Sequence, residues 1–176
     1  TLTCQKDIFI GIFFDGTNDY GVITFAESQR LLASNFALEF WFYVPSGVTA
    51  TTTRHLVSLG SSTAWGLRVS QTSDNRIEVF GTLNGTTDIG GTARTSVFTR
   101  DTWHWFLVHR INTHSRMFLN GTYENNKAAF STAGDSMFDF TAGIGLGGTT
   151  DGVLGSAGTK TSIYIDELRI IKGLHP

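Results

Sequence analysis

The chain alternates apolar and polar positions almost throughout, with the period of two that belongs to β-strands. Residues 36–44, FALEFWFYV, set Leu38, Phe40, Phe42 and Val44 against Glu39, Trp41 and Tyr43. Large groups on both faces predict a central strand covered on both sides. Pro45-Ser46-Gly47 ends it. A Thr-rich loop at 49–53 leads to a short strand at 55–60. Segments 65–71 and 76–83 read as a hairpin around Ser73-Asp74-Asn75, residues that favour turns. Asn84-Gly85, a hairpin dipeptide, precedes a Gly/Thr-rich loop over 86–94. Residues 103–111, WHWFLVHRI, form a second long strand with bulk on both faces. The strand at 115–119 runs into a tight turn at Asn120-Gly121 and returns through Thr122-Tyr123-Glu124. GIGLGG at 143–148 spaces its glycines alternately, which predicts close backbone approach or a bulge. TSIYIDELRII at 161–171 is the last long strand, expected to pair with the first.

No segment carries a sustained helical stripe; the nearest, residues 25–34, predicts one short helical turn. Turns every 8–12 residues then predict an all-β fold, an antiparallel two-sheet jelly-roll sandwich. With 176 residues, the chain reads as one domain over 1–176. Charged residues make up only 16% and the net charge is −2, which excludes the basic footprint of a nucleic-acid binder. One cysteine, Cys4, leaves no internal disulfide. No apolar run is long enough for a membrane span, and no signal peptide is visible at the start.

Five segments in order carry a family resemblance. They are Phe14-Asp15-Gly16-Thr17-Asn18-Asp19-Tyr20, Leu38 to Val44, Trp103 to Arg110, Met117-Phe118-Leu119-Asn120-Gly121 and Tyr164 to Gly173. The set resembles the concanavalin A-like lectin/glucanase jelly roll, in its laminin-G-like and pentraxin-like branch, over roughly residues 9–173. The closing segment is most similar to versions found in bacteriophage virion proteins. The fold hosts lectins, hydrolases, lyases and scaffolds, so function must come from the site.

Glycoside hydrolysis needs two carboxylates across the scissile bond. Glu39 and Glu78 stand apart, and Asp166 and Glu167 are adjacent, so on a strand they face opposite sides. His104 and His109 also fall on opposite faces. The expectation is therefore no enzyme. Histidine spacing matches no zinc set. Calcium is the cofactor the resemblance allows: Asp15, Asn18 and Asp19 offer oxygens in one loop, and Asp166 would join them if the terminal strands pair. The same residues are also ordinary turn formers. Carbohydrate binding needs an aromatic platform with amides and carboxylates. By composition the candidates are Trp65, Asn84, Asp88, Tyr123, Asn125 and Asp151, with Asn120 and Asn126 beside them.

The resemblance and the low-charge, Thr/Ser/Gly-rich composition imply a non-enzymatic virion surface protein. It would be a capsid decoration, fibre or tail-associated component that docks on other virion proteins or on copies of itself. Host-cell glycans are further expected partners, bound through multivalency. The alternative is a lectin module, phage-borne or secreted, and a hydrolase or lyase ranks behind both. Localisation is expected on the virion surface, or else outside the cell.

Overall fold

The computed structural model describes residues 11–47, 51–87, 93–112, 114–124, 136–155 and 162–173. Among them are twelve strands. They are β1 (Ile12–Phe14), β2 (Gly21–Ile23), β3 (Phe36–Tyr43), β4 (Arg54–Gly60), β5 (Trp65–Gln71) and β6 (Ile77–Gly81). The rest are β7 (Ala93–Arg94), β8 (Trp103–Ile111), β9 (His114–Leu119), β10 (Thr122–Glu124), β11 (Ile144–Leu146) and β12 (Ile163–Lys172). One 3-10 turn, Glu27–Gln29, stands where the single helical turn was expected. All strand pairs are antiparallel, in two six-stranded sheets. The first runs β1-β12-β3-β8-β9-β10 and the second β2-β11-β4-β5-β6-β7.

The sandwich forms because each strand turns its branched or aromatic residues inward. Leu38, Phe40 and Phe42 of β3 and Phe106 and Val108 of β8 meet Val57, Leu59, Leu67 and Val69 of the second sheet, all fully buried. Each such side chain stabilises the fold by roughly 1.5–3 kcal/mol. The last strand pairs with the first as expected, Ile12 opposite Ile165 and Phe14 opposite Ile163. It also pairs with β3, so β12 is an inner strand, one in from the edge.

Two expectations are corrected. β3 and β8 are central in their sheet, but among the described residues a second layer covers one face only. Glu39, Trp41, Tyr43, Trp103 and Trp105 are half-buried on the other, where no described strand packs over them. Bulk on both faces therefore signalled a crowded open face, not a covered one. Asn84-Gly85 does not turn a two-residue hairpin, because β6 finds its partner only at Ala93–Arg94. The Thr82 hydroxyl instead accepts from the Asn84 and Gly85 amides, and Asn84 Oδ1 accepts from Thr86 and Thr87. Local side-chain bonding of this kind competes with strand pairing.

Asn120-Gly121 does make the tight hairpin. Leu119 pairs Thr122 across it, and the two residues hold φ of 51° and 79°. Both angles are positive, as a type I′ turn requires. The alternate glycines of β11 do mark close backbone approach. A Cβ on Gly145 would stand 2.4 Å from the Gly148 carbonyl oxygen.

Candidate functional site

The open face of the first sheet carries a groove of about 630 Å³, lined by Glu39, Trp41, Trp103, Trp105, Asn120, Gly121 and Arg169. Strand register explains the assembly. Trp103 and Trp105 are two apart on β8, so both side chains emerge on one face. Trp105 is opposite Trp41 on β3, and Trp103 is opposite Tyr43. Three of the chain's four tryptophans thus meet in one groove. Aromatic rings continue beside it: Tyr43 lies 5.7 Å from Trp103 and 5.7 Å from Tyr164, which lies 4.7 Å from Phe13. On the other flank His109 stacks on Phe118 at 5.7 Å, and Phe118 meets Tyr123 at 5.7 Å.

The polar side of the groove depends on a bulge in β12. Asp166 pairs Trp41 and Arg169 pairs Glu39, so three steps on β12 match two on β3. Glu167 and Leu168 together oppose Phe40, with Glu167 at φ 50°. The Glu167 amide donates to Asp166 Oδ1 at 2.8 Å. Bulges of this kind re-aim side chains. Here the bulge puts Asp166 and Arg169 on one face, while Leu168 and Ile170 pack against the core. Arg169 Nη2 then lies 3.0 Å from Glu39 Oε1; the Glu39 side chain is 12% exposed and that of Arg169 65%.

Asn120 is fixed from below. Its Oδ1 accepts from the Trp105 amide at 2.9 Å, which orients its NH2 group toward His104 Nδ1 at 2.9 Å. An amide NH2 only donates, so Nδ1 accepts, and Nε2–H donates to the Thr99 carbonyl at 2.7 Å. The buried His104 is thereby held neutral. Its pKa is lowered, chiefly by burial. That of His109, on the opposite face of the same strand, is lowered by burial and then by Arg116.

The residues expected from sequence are scattered. Trp65 is buried at the start of β5 beneath Arg68, whose guanidinium lies 4.3 Å from its ring. Asn84 is the turn residue described above. Asp151 ties two loops together, accepting from the Ser62 amide, the Ser62 hydroxyl and the Thr149 hydroxyl. Its burial raises its pKa, but these donors prevail and hold it at about 2. Asn120 lines the groove itself, and Tyr123 lies on the groove's face, exposed on β10, with Arg116 6.0 Å from its ring centre. Asp88 and Asn125 lie outside the described residues.

Of the four calcium candidates, Asp15, Asn18 and Asp19 share one loop and Asp166 is not brought to them. Asp15 sits past the end of β1, and its carbonyl oxygen accepts from the Ser162 hydroxyl. Asp166 is four residues further along β12, on the order of 13 Å away. Asp15 Oδ1 accepts from the Thr17 and Asn18 amides, and Asp19 Oδ2 from the Asp15 amide. Beneath this loop lies Arg54, fully buried, donating to the carbonyls of Phe14 and Gly147. Burial lowers the Arg54 pKa to about 10, and Asp15 and Asp19 oppose that shift. Among the described residues no group of three or more His, Cys, Asp or Glu could hold a metal ion.

The groove residues were readable only in part. Trp41, Trp103 and Trp105 registered as bulk, and Glu39 was weighed only as a catalytic acid. The W-x-W spacing, which fixes both indoles on one face, was the available signal. The bulge also left a trace: apolar positions 163 and 165 give way to 168 and 170, a slip of one.

A laminin-G family model described as "Concanavalin A-like lectin/glucanases superfamily" matches residues 15–173. No curated protein matches the chain. Among solved structures, Trypanosoma rangeli sialidase is similar with a TM-score of 0.63 at 11% identity, over 92% of this chain and 25% of the sialidase. A structure titled for the dependence of botulinum neurotoxin type C cell entry on two ganglioside molecules gives a TM-score of 0.66 at 15% identity, over 97% of this chain and 41% of the other. The chain thus spans a quarter of the one and about two-fifths of the other. At these identities the likeness shows the fold.

Proposed function

The chain belongs to the concanavalin A-like lectin/glucanases superfamily, and we propose that it is a non-catalytic glycan-binding module that uses the groove on its open sheet. The observation that carries this reading is the convergence of three indoles with a carboxylate, a guanidinium and an amide in one groove. Binding sites combine apolar surface with a few fixed polar groups in this way. Indole faces cover the C–H faces of a sugar ring, and Glu39, Arg169 and Asn120 meet its hydroxyls. The toxin structure, titled for two ganglioside molecules, and a sialidase in complex with sialic acid share the fold at 15% and 13% identity, which supports a glycan-binding reading without carrying their ligands over to this groove.

The non-catalytic part rests on how the carboxylates are engaged. Glu39 is bound by Arg169, and Asp166 accepts from the backbone of its own bulge. A general acid must deliver a proton, and a carboxylate clasped by a guanidinium is arranged to accept hydrogen bonds instead.

The finer part of the proposal is placement on a virion surface, in many copies, where weak sites add by multivalency. Exposed apolar side chains at the sheet edges suit docking on a partner protein: Ile12 and Phe13 on β1, Val22 and Ile23 on β2. A glycan array probed with the purified module, first with calcium and then with EDTA, tests the binding reading. Selective binding is expected in both buffers. An empty array, together with no retention by soluble polysaccharides, would overturn it.

A further inference from the structure

We infer that the groove selects uncharged glycans, and that the Arg169–Glu39 pair sets this specificity by neutralising Arg169 from within the site. The inference rests on the glycan-binding reading and adds the ligand's charge class.

Among the described residues the groove lining contains one negative and one positive side chain, and they are bonded to each other at 3.0 Å. Glu39 is the anchored member, at 12% exposure on a strand in the middle of the sheet, while Arg169 reaches over it from the exposed side. An acidic sugar entering the groove would seek the guanidinium and find it already facing a carboxylate. It would also meet Asp166, on the same face opposite Trp41. Arg116 is the cation on the far flank, and it lies over the Tyr123 ring. Among the described residues no surplus positive charge therefore offsets the cost of desolvating a sugar carboxylate beside Glu39, and like-charge juxtaposition is strongly disfavoured. The chain's net charge of −2 adds no steering toward anions. Sugar hydroxyls, by contrast, both donate and accept. They can bridge Glu39 and Arg169 without breaking the pair.

The β12 bulge is what makes this arrangement. If β12 ran unbroken after Asp166, Arg169 would fall on the opposite face from Asp166, toward the core. The inserted residue restores Arg169 to the outer face, directly across from Glu39.

Affinity electrophoresis and calorimetry with paired polysaccharides test the inference. The probes are neutral glucan, mannan and xylan against polygalacturonate, alginate and hyaluronate, at low and high salt. The wild-type protein is expected to bind a neutral probe, with affinity little changed by salt, and to bind no acidic probe more tightly. Glu39→Gln frees the guanidinium and is expected to raise the acidic-to-neutral affinity ratio by at least about tenfold, with new salt dependence. Arg169→Gln is expected to lower that ratio further. Glu39→Gln is near-isosteric and Arg169 is largely exposed, and unfolding midpoints measured in parallel establish that both variants fold. Wild-type preference for an acidic probe, or for a cationic one such as chitosan, overturns the inference. So does a Glu39→Gln ratio that stays at the wild-type value. In those cases loss of binding in Trp105→Ala keeps the groove as the glycan site, so this failure is distinct. Absence of binding to every probe would instead bring down the glycan-binding reading itself, and this inference with it.

Discussion

Truncating Trp105 to alanine should weaken glycan binding by an amount set by the exposed part of its indole. Trp105 is half-buried, directly opposite Trp41, and its backbone amide is bonded to Asn120. A fully covered tryptophan buries about 150–250 Å². Most of this one is already packed on the sheet, which leaves roughly 50–80 Å² for a ligand; at about 25 cal/mol per Å² that is about 1–2 kcal/mol. The expected loss is therefore about 5- to 30-fold in affinity. It should appear mainly in the dissociation rate. Titration followed by tryptophan fluorescence is a direct assay, because three of the four tryptophans line the groove. Val97→Ala, which trims an exposed apolar residue elsewhere, serves as the control. Trp41→Ala combined with Trp105→Ala should lose less than the sum of the single losses, since the two indoles share one surface. A folded Trp105→Ala protein that binds within twofold of wild type would refute the assignment of the groove.

Three further outcomes are expected. Tyr123→Ala should leave affinity for short oligosaccharides unchanged and reduce it for long ones, because Tyr123 lies two strands beyond β8 on the groove's face; equal losses at every length would refute this. Acidification should cost stability through His104 and His109, whose folded pKa values are lowered below the ordinary 6.5. The unfolded chain then takes up protons first, so the contribution is whole above pH 6.5 and is lost as pH falls from there toward the folded values. Urea midpoints at several pH values check the sign, and a midpoint that rises on acidification contradicts it. EDTA should leave the thermal midpoint and glycan binding unchanged, because Asp15 and Asp19 already face the buried Arg54 and Asp166 lies apart from them. A calcium-dependent rise in the midpoint would show otherwise.

The fold was legible because its information is local and periodic. Alternation placed the long strands, and Asn120-Gly121 fixed one hairpin by the handedness its twist demands. Single-sequence reading failed where a side chain outcompeted a pattern. At Asn84-Gly85 the Thr82 hydroxyl captured the amides that a hairpin would have used. Arg54, a charged residue opening a strand, gave no sign that it would be fully buried, because its partners are carbonyls of Phe14 and Gly147, distant in sequence.

The site was illegible for a different reason. A strand face is defined by register against neighbours, and register is not a property of one segment. Glu39, Trp105 and Arg169 lie on three strands far apart in sequence, and only the pairing of β12 with β3 and of β3 with β8 brings them together. Of the candidates chosen by residue type, Asn120 lines the groove and Tyr123 lies on its face, but others went to loops, where Asn and Asp serve the backbone. Asn84 and Asp151 are both spent in that way. The one informative irregularity was the phase slip after Ile165. A strand that keeps its apolar residues inward across an extra residue must bulge, and a bulge re-aims the side chains beside it. Here it faces the groove, carrying Arg169 onto Glu39. The slip in the apolar pattern and the charge balance of the groove thus have one cause, and replacing Arg169 tests the second without disturbing the first.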